Sequence, residues 1–479
     1  MKLVKGISLL SAAILLAACG DSDNDNDSNN GVSVPETYTF ESSLISGDSS
    51  VSHSGQATRH ILISELKNLI GSADLQAAAT KADAMAMLNA VYAKGTKDVT
   101  GNLITTNVYT AGAEATPVSI SLKSENVTLL QDDFSSVSDD KNLQGKIAGK
   151  DNLLTHGEFI GWSVTTTGDN EAKGDGVNAA PELLIQQWFD QIADLAVDGD
   201  ADTKYVTAEG LDLQQLVQKF LLGAVTYSQG AEDYLKADKG LAKQNSAEDK
   251  AGKPYTSLEH QWDEGFGYFG AAHDYNLYSD SENKAQQDND TNQDGEIDLY
   301  SEYSFGHSVN AAKRDKGSAD NAAATDFSKG AMDAFLKGRA IIQENIGTDP
   351  VAGEGYHVEL VAQANVALNN WEKAVAATVV HYINDVIADY DTFGTPDFNS
   401  GDLAKHWSEM KGFALGLQFS PVAVISVANL KSVHDAFGEA PALLNADQAA
   451  VDAYIVKLQE ARAIMQTAYD FNADNVANW

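Results

Sequence analysis

Apolar residues that recur at helical spacing constrain the fold of this chain most strongly. They recur every three or four residues in the segment 211–235, and they do so again near the carboxyl end, at Val451, Ile455, Leu458, Ala461 and Met465. This spacing places the apolar side chains on one face of a helix. Segments of similar character are 59–71, 74–94, 180–197, 257–273, 327–345, 356–391 and 402–418. The sequence therefore predicts a mainly α protein of one or more helical bundles.

Other secondary-structure signals are fewer. The chain holds only 8 prolines, so few positions interrupt a helix. Two short segments, 36–41 and 116–122, resemble isolated strands, and long irregular loops are expected at 95–175 and 274–326. Thr256-Ser-Leu-Glu259 and Asn445-Ala-Asp-Gln448 have the spacing of capping boxes. They predict where two of the helices begin.

The first residues are typical of an export signal. Lys2 and Lys5 precede an apolar run that is too short to span a bilayer as a permanent helix. The run ends in Leu-Ala-Ala-Cys19, which is similar to a bacterial lipoprotein signal. That resemblance implies removal of residues 1–18, lipid on Cys19 and, because aspartate does not follow the cysteine directly, the outer membrane. An ordinary signal peptide is the alternative.

The domain boundaries follow from composition. Residues 19–35 are rich in Asp, Asn and Ser and predict a disordered acidic tether. Residues 36–479 predict the α-helical domain, with possible sub-units at 36–275 and 327–479 and a calcium-like loop at 286–302 between them. Cys19 is the only cysteine, so no disulfide is expected inside the domain.

The charge is strongly negative, with 32 basic and 69 acidic side chains and a net charge of −37. Loss of Lys2 and Lys5 with the signal would make it −39, since residues 1–20 contain no acid. Such a surface repels nucleic acid and anionic lipid headgroups. It suits cations, although solubility alone also explains it.

The frame Trp-x-Glu-x-x-Gly-aromatic occurs twice, each time with a histidine before the tryptophan. The two copies are His260, Trp262, Glu264, Gly267 and Tyr268, and His406, Trp407, Glu409, Gly412 and Phe413. On a helix each histidine and glutamate share a face with small residues that admit a neighbouring helix closely. Because each copy follows a long apolar helix, two pseudo-repeated halves are possible. If the copies face each other, their imidazoles and carboxylates would form a cation site; a structural role or proton transfer are the alternatives.

A second motif places oxygen donors at alternate positions of a short loop. The donors are Asp290, Asn292, Asp294, Glu296 (through its carbonyl), Asp298 and Glu302. Gly295 is sixth, where the loop must turn sharply, as in the EF-hand and dockerin-type calcium loops. The twelfth position holds Ser301, and the acid comes one residue later. The motif predicts a structural calcium clamp, with an unliganded acidic turn as the alternative.

Several segments resemble an uncharacterised family of bacterial lipoproteins that is named only as a domain of unknown function. They are Tyr38-Thr-Phe40, Ser54-Gly-Gln56 with Arg59, Lys146-Ile-Ala-Gly149, Asp294 to Glu302, Phe305-Gly306 and His406-Trp-Ser-Glu409. That family is broadly similar to the imelysin-like, iron-regulated lipoproteins, which are α-helical with two bundle-like halves. The resemblance implies metal acquisition together with a TonB-dependent receptor or an imelysin-like lipoprotein. The imelysin-like signature Gly-x-His-x-x-Glu is met only in part, because Ala404 replaces its glycine.

These features lead to three hypotheses about function. The first is an outer-membrane lipoprotein that binds a cation, such as iron or another transition metal, or assists a receptor in metal acquisition. The second is a surface scaffold that binds a partner protein without capturing metal. The third, an imelysin-like hydrolase, is less favoured because the sequence has no His-Glu-x-x-His motif, no Gly-x-Ser-x-Gly motif and no candidate catalytic cysteine.

Overall fold

The computed structural model describes residues 31–93, 128–131, 137, 141–150, 154, 157–164, 176–198, 204–286, 290–315, 324–441 and 447–479. The predicted signal peptide, Cys19, most of the tether, the strand at 116–122 and Asn445 lie outside these residues. The last residues of the predicted tether are described. The backbone amide of Ser33 donates to Glu344 Oε1 at 3.3 Å, and Val32 packs against the core. Residues 32 and 33 of the predicted tether therefore contact the helical body.

The prediction of a mainly α fold is confirmed, because 61% of the structure is helical. The described residues contain fourteen α-helices. They are α1 (Ser54–Ile70), α2 (Ala73–Gln76), α3 (Lys81–Ala93), α4 (Ala180–Asp198), α5 (Leu213–Leu221), α6 (Ser257–Phe269), α7 (Asp280–Ala285), α8 (Gly306–Asp315), α9 (Phe327–Glu344), α10 (Gly355–Asp391), α11 (Ser400–Gly416), α12 (Val427–Phe437), α13 (Gln448–Tyr469) and α14 (Ala473–Asn478). Two short parallel strands, β1 (Thr128–Leu129) and β2 (Glu296–Ile297), pair with each other.

Local side-chain hydrogen bonds set several helix boundaries. Thr256 and Glu259 form the predicted capping box at the start of α6. The box predicted at 445–448 is wrong in its register, since α13 begins at Gln448 and Asp447 caps it by accepting from the amide of Ala450. The helix predicted over 74–94 is interrupted between α2 and α3, where the Thr80 hydroxyl accepts from the amide of Asp83 and begins a new helix.

Three further expectations differ from the structure. The segment predicted as one helix over 211–235 is α5 followed by two π-helical segments, Leu222–Tyr227 and Gly230–Tyr234. Residues 36–41 contain no strand; Glu41 forms one antiparallel bridge with Ser49. The irregular region predicted at 274–326 contains β2, α7 and α8. Elements this short carry too few residues for a clear period.

The long helix α10 organises the core. It contacts α8, α9, α11, α13 and α14, and Trp371 at its middle is fully buried. One continuous cluster of buried apolar side chains includes residues of both predicted sub-units. Helices α5 and α11 pack against each other, as do α6 and α9. None of the helices in the described part of the chain is both long and apolar enough to cross a membrane.

Candidate functional site

The first copy of the motif lies on α6 and faces the segment that leads into α1. His260 Nδ1 is 3.1 Å from the carbonyl oxygen of Ser52, and its ring stacks on Tyr255. Glu264 Oε1 accepts from Gln56 Nε2 at 2.9 Å. The closest contact between the two motif side chains is 3.9 Å, from His260 Nε2 to Glu264 Oε2. Both side chains are partly exposed and hold the start of α1 in place.

The second copy lies on α11 and has other partners. His406 Nδ1 is 2.9 Å from Asp389 Oδ2 on α10, and this hydrogen bond raises the pKa of His406. Glu409 Oε1 is 3.2 Å from Lys219 Nζ on α5. Burial would raise the pKa of Glu409, but the charge and hydrogen bond of Lys219, together with Lys405 and Tyr382, outweigh it, so the pKa is lowered. This glutamate is therefore a buried anion with its own cation.

The structure does not bring these four side chains together into one cation site. Each has separate partners, and the carboxylate of Glu409 is paired with the ammonium of Lys219. Nowhere in the described ranges are three His, Cys, Asp or Glu side chains grouped so that they could hold a metal ion. The two copies thus do not give a shared ligand set.

Helix packing explains why the motif recurs. The Trp262 indole donates to the carbonyl of Phe335, and the Trp407 indole donates to the Tyr454 hydroxyl. A Cβ on Gly267 would be 2.7 Å from His53 Cβ, and one on Gly412 would be 2.6 Å from Lys219 Cβ. The prediction of small residues at close helix contacts is confirmed. In both copies a buried tryptophan anchors the helix and glycine admits its neighbour.

Sequence reasoning missed a charged cluster between α6, which carries the first motif, and α9. Arg339 is fully buried, with Nε 2.9 Å from Asp263 Oδ1 and Nη2 3.0 Å from Glu259 Oε1. The Tyr38 hydroxyl and the Ser52 amide also donate to Asp263. Burial raises the pKa of Asp263 to about 6, although Arg339 and Tyr38 oppose the shift. The sequence did contain a clue, since Arg339 interrupts the apolar face of α9.

Another buried carboxylate was also missed. Glu372 of α10 is 1% exposed, and its oxygens accept from the hydroxyls of Tyr469 and Tyr227 and from the amide of Val424. Burial raises its pKa, against these hydrogen bonds. The donors come from α13, a π-helical segment and the loop after α11, so this carboxylate joins three parts of the core.

Two histidines face each other beside the first motif. His53 Nε2 and His273 Nε2 are 3.0 Å apart, so one nitrogen donates and the other accepts. Burial lowers the pKa of His53 to about 4 and that of His273 well below its usual value. The pair is therefore neutral at physiological pH and serves as a hydrogen-bonded contact between the segment before α1 and the end of α6.

The predicted calcium loop has a defined conformation. Asp290 accepts from the amides of Asp294 and Gly295, and Asp294 Oδ1 accepts from the amide of Glu296. Gly295 has a φ of +90°, as the sharp turn at the sixth position requires. The side chains of Asn292 and Asp294 are exposed to solvent. This part of the loop offers oxygen atoms that retain capacity for a cation.

The last two predicted ligands close the loop. Glu302 accepts from the backbone amides of Thr291, Asn292 and Asp298. Asp298 accepts from Gln131, which follows β1, and from Ser301. The loop also contacts the end of α6, where the His273 amide donates to the Ser301 carbonyl. The loop therefore joins the residues after β1 to the end of α6, two segments that are far apart in sequence.

Comparison with protein families gives one match. Residues 190–424 match the family described as a domain of unknown function (DUF4856). The matched segment contains both copies of the motif and the whole of the loop. Comparisons with curated proteins and with solved structures found no significant match. These findings fit the predicted resemblance to an uncharacterised family.

Proposed function

We propose that this protein is a lipoprotein of the outer membrane, anchored through Cys19, whose helical body is braced by calcium and binds a partner in metal acquisition. The anchor is supported by the Leu-Ala-Ala-Cys19 pattern. The link to metal acquisition is supported only by the resemblance to imelysin-like lipoproteins. The partner would be a TonB-dependent receptor or an imelysin-like lipoprotein. Capture of iron by His260, Glu264, His406 and Glu409 is not part of this proposal.

The observation that carries the calcium proposal is the conformation of the loop. Asp290, Asn292 and Asp294 would supply side-chain oxygens, and Glu296 would supply its carbonyl. Asp298 and Glu302 already accept hydrogen bonds from Gln131 and from a backbone amide, which hold their carboxylates in place. They would complete the coordination of the ion on the side of the loop that faces the protein. A bound calcium ion would supply positive charge among these acids. Even a weak site would be filled at the millimolar calcium outside the cell.

Thermal unfolding tests the calcium brace. Calcium in excess should raise the Tm of the wild-type protein by roughly a few degrees, since an ion that binds only the folded state stabilises it. Asp294→Ala should abolish this rise. Asp397→Ala, at an exposed acid outside the loop, is the matched control and should keep it. A wild-type Tm that does not respond to calcium would refute the brace.

Affinity purification tests the partner. The lipidated protein, used as bait in solubilised outer membrane, should enrich a TonB-dependent receptor or an imelysin-like lipoprotein when the buffer contains calcium. It should enrich less of that partner when the buffer contains EDTA. Asp294→Ala should lose the dependence on calcium. If neither protein is enriched under either condition, the role in metal acquisition is wrong, whatever the Tm shows.

A further inference from the structure

A cavity of about 420 Å³ lies between α1, α5, α8 and the segment around Tyr303. Small-molecule sites typically have volumes of this order. Three lysines from three different helices line it: Lys67 of α1, Lys219 of α5 and Lys313 of α8. The cavity is therefore built by elements that only the tertiary fold brings together.

The charge of this lining is opposite to that of the molecule. The chain has 69 acidic and 32 basic side chains, yet none of the described residues that line the cavity is Asp or Glu. Lys219 is paired with Glu409, but its charge still repels the Lys67 ammonium, and an anion placed beside Lys67 would offset this repulsion. A lining of this kind attracts small anions from a surface that otherwise repels them.

The lysines differ in how they are held. Lys219 Nζ contacts Glu409 Oε1 at 3.2 Å and Gln218 Oε1 at 2.7 Å, which fixes its position. The Lys67 ammonium is partly buried and has no ion pair or hydrogen bond with any described residue. Burial and then the charge of Lys219 lower the pKa of Lys67 to about 8, against the attraction of Glu409 and Asp212. Lys67 therefore keeps hydrogen-bond donors available in a partly dehydrated position.

The remaining lining suits an organic ligand better than a bare ion. Amide side chains of Asn68 and Asn310 can donate to ligand oxygens, whereas the amide of Gln286 already donates to the Tyr303 hydroxyl and the Ser304 carbonyl. Ile63, Phe305 and Val309 provide an apolar wall. Leu222, which also lines the cavity, is the first residue of a π-helical segment, and such segments occur frequently at functional sites.

We propose that this cavity binds a small organic anion, whose carboxylate or phosphate oxygens contact Lys67, Lys219 and Lys313 while its carbon skeleton lies against the apolar wall. Glu409 of the second motif copy acts indirectly, because its contact with Lys219 positions that ammonium. The proposal goes beyond the calcium brace and does not depend on it.

Isothermal titration calorimetry in calcium-free buffer of low ionic strength tests the site. The anionic probes are succinate, glycerol 3-phosphate and inorganic phosphate, and succinamide is the neutral match of succinate. At least one organic anion should bind to a single site, more tightly than inorganic phosphate, and addition of salt should weaken the binding. Comparison of succinate with glycerol 3-phosphate tells whether the site prefers carboxylate or phosphate.

The lysine variants locate the binding. Lys67→Gln should weaken it by about tenfold or more, because a charge-assisted hydrogen bond is lost. Lys313→Gln should also weaken it, whereas Lys329→Gln, at an exposed lysine paired with Asp333, should leave it unchanged. Unchanged circular dichroism and Tm in each variant would establish that it folds. The proposal is overturned if the wild type binds no anionic probe at millimolar concentration, if succinamide binds as well as succinate, or if folded Lys67→Gln and Lys313→Gln bind like the wild type.

Discussion

At the scale of single residues, the most consequential group is the guanidinium of Arg339. No pattern in the sequence indicates which acids it binds. Arg339 lies 76 residues from Asp263 and 289 residues from Ser50, and it binds both. Its side chain also covers Phe40, with the guanidinium carbon 4.8 Å from the ring centroid. A buried charge cluster of this kind keeps its geometry only while every member is present.

Replacement of Arg339 by methionine should therefore destabilise the fold by about 3–5 kcal/mol, because it leaves Glu259 and Asp263 buried without a cation. Urea unfolding measures the loss. Arg462→Met is the matched control: Arg462 binds the neutral amide of Asn384 and is only partly buried, so its loss should cost roughly 1 kcal/mol or less. Restoration of stability by adding Glu259→Gln and Asp263→Asn would support the electrostatic cause. An Arg339→Met protein as stable as Arg462→Met would contradict it.

At the scale of elements, the sequence predicts helices well and their irregularities poorly. Hydrophobic periodicity predicts the ends of α4, α9 and α10 to within a residue or two, since their apolar faces are long enough to define a period. The predicted capping box at Thr256 is also confirmed, because its hydrogen bonds join residues that are close in sequence. The π-helical segments after α5 were missed, since they depend on a neighbouring helix. Gly223 there meets Gly416 of α11 so closely that a Cβ on Gly223 would be 2.4 Å from Gly416 Cα.

The same distinction applies to the candidate site. The glycine contacts of the duplicated motif followed from spacing on one helix. The partners of His406 and Glu409 did not, because Asp389 and Lys219 lie on other helices whose register no local pattern fixes. The loop at 290–302 could be recognised because its oxygen atoms are close in sequence. The cavity could not, since its lysines are brought together by three helices.

The close contact of α11 with the π-helical segment gives a prediction for the element. Gly223→Ala should destabilise the protein by about 1–3 kcal/mol, because the backbone of Gly416 cannot yield as a flexible side chain can. Gly330→Ala in α9 is the control, since there the added Cβ meets only the side-chain end of Asn370. That change should be neutral or stabilising by up to about 1 kcal/mol. Chemical denaturation compares the two, and equal effects would rule out backbone contact as the cause.

At the scale of the whole molecule, buried histidines and buried aspartates change the stability with pH in opposite directions. Burial lowers the pKa of His53 and His307 to about 4 and that of His60 to about 3. Burial raises the pKa of Asp212 to about 6 and that of Asp315 to about 7. The histidines favour folding above pH 6.5 and lose this contribution as the pH falls. The acids favour folding at low pH and lose their contribution as the pH rises, so the two groups partly cancel.

Single variants separate these opposing contributions, and His307 is the clearest case. Its Nε2 is 2.9 Å from the Leu222 carbonyl oxygen, and its buried Nδ1 has no hydrogen-bond partner among the described residues. Protonation would therefore bury an unpaired charge. The unfolded chain binds this proton near pH 6.5, whereas the folded chain binds it only at about pH 4. Wild-type protein should thus lose on the order of 3 kcal/mol at this residue as the pH falls through that interval.

Urea unfolding of His307→Gln at several pH values measures this loss. The variant cannot take up the proton, so its deficit in unfolding free energy relative to wild type should shrink from pH 7 to pH 4. His406→Gln should show the opposite slope, because Asp389 raises the pKa of His406 and stabilises its charged form. The contribution of His406 is complete below pH 6.5 and is lost as the pH rises through its folded pKa. The deficit of His406→Gln should therefore be largest in acid, and parallel slopes for the two variants would show that neither histidine acts through its charge.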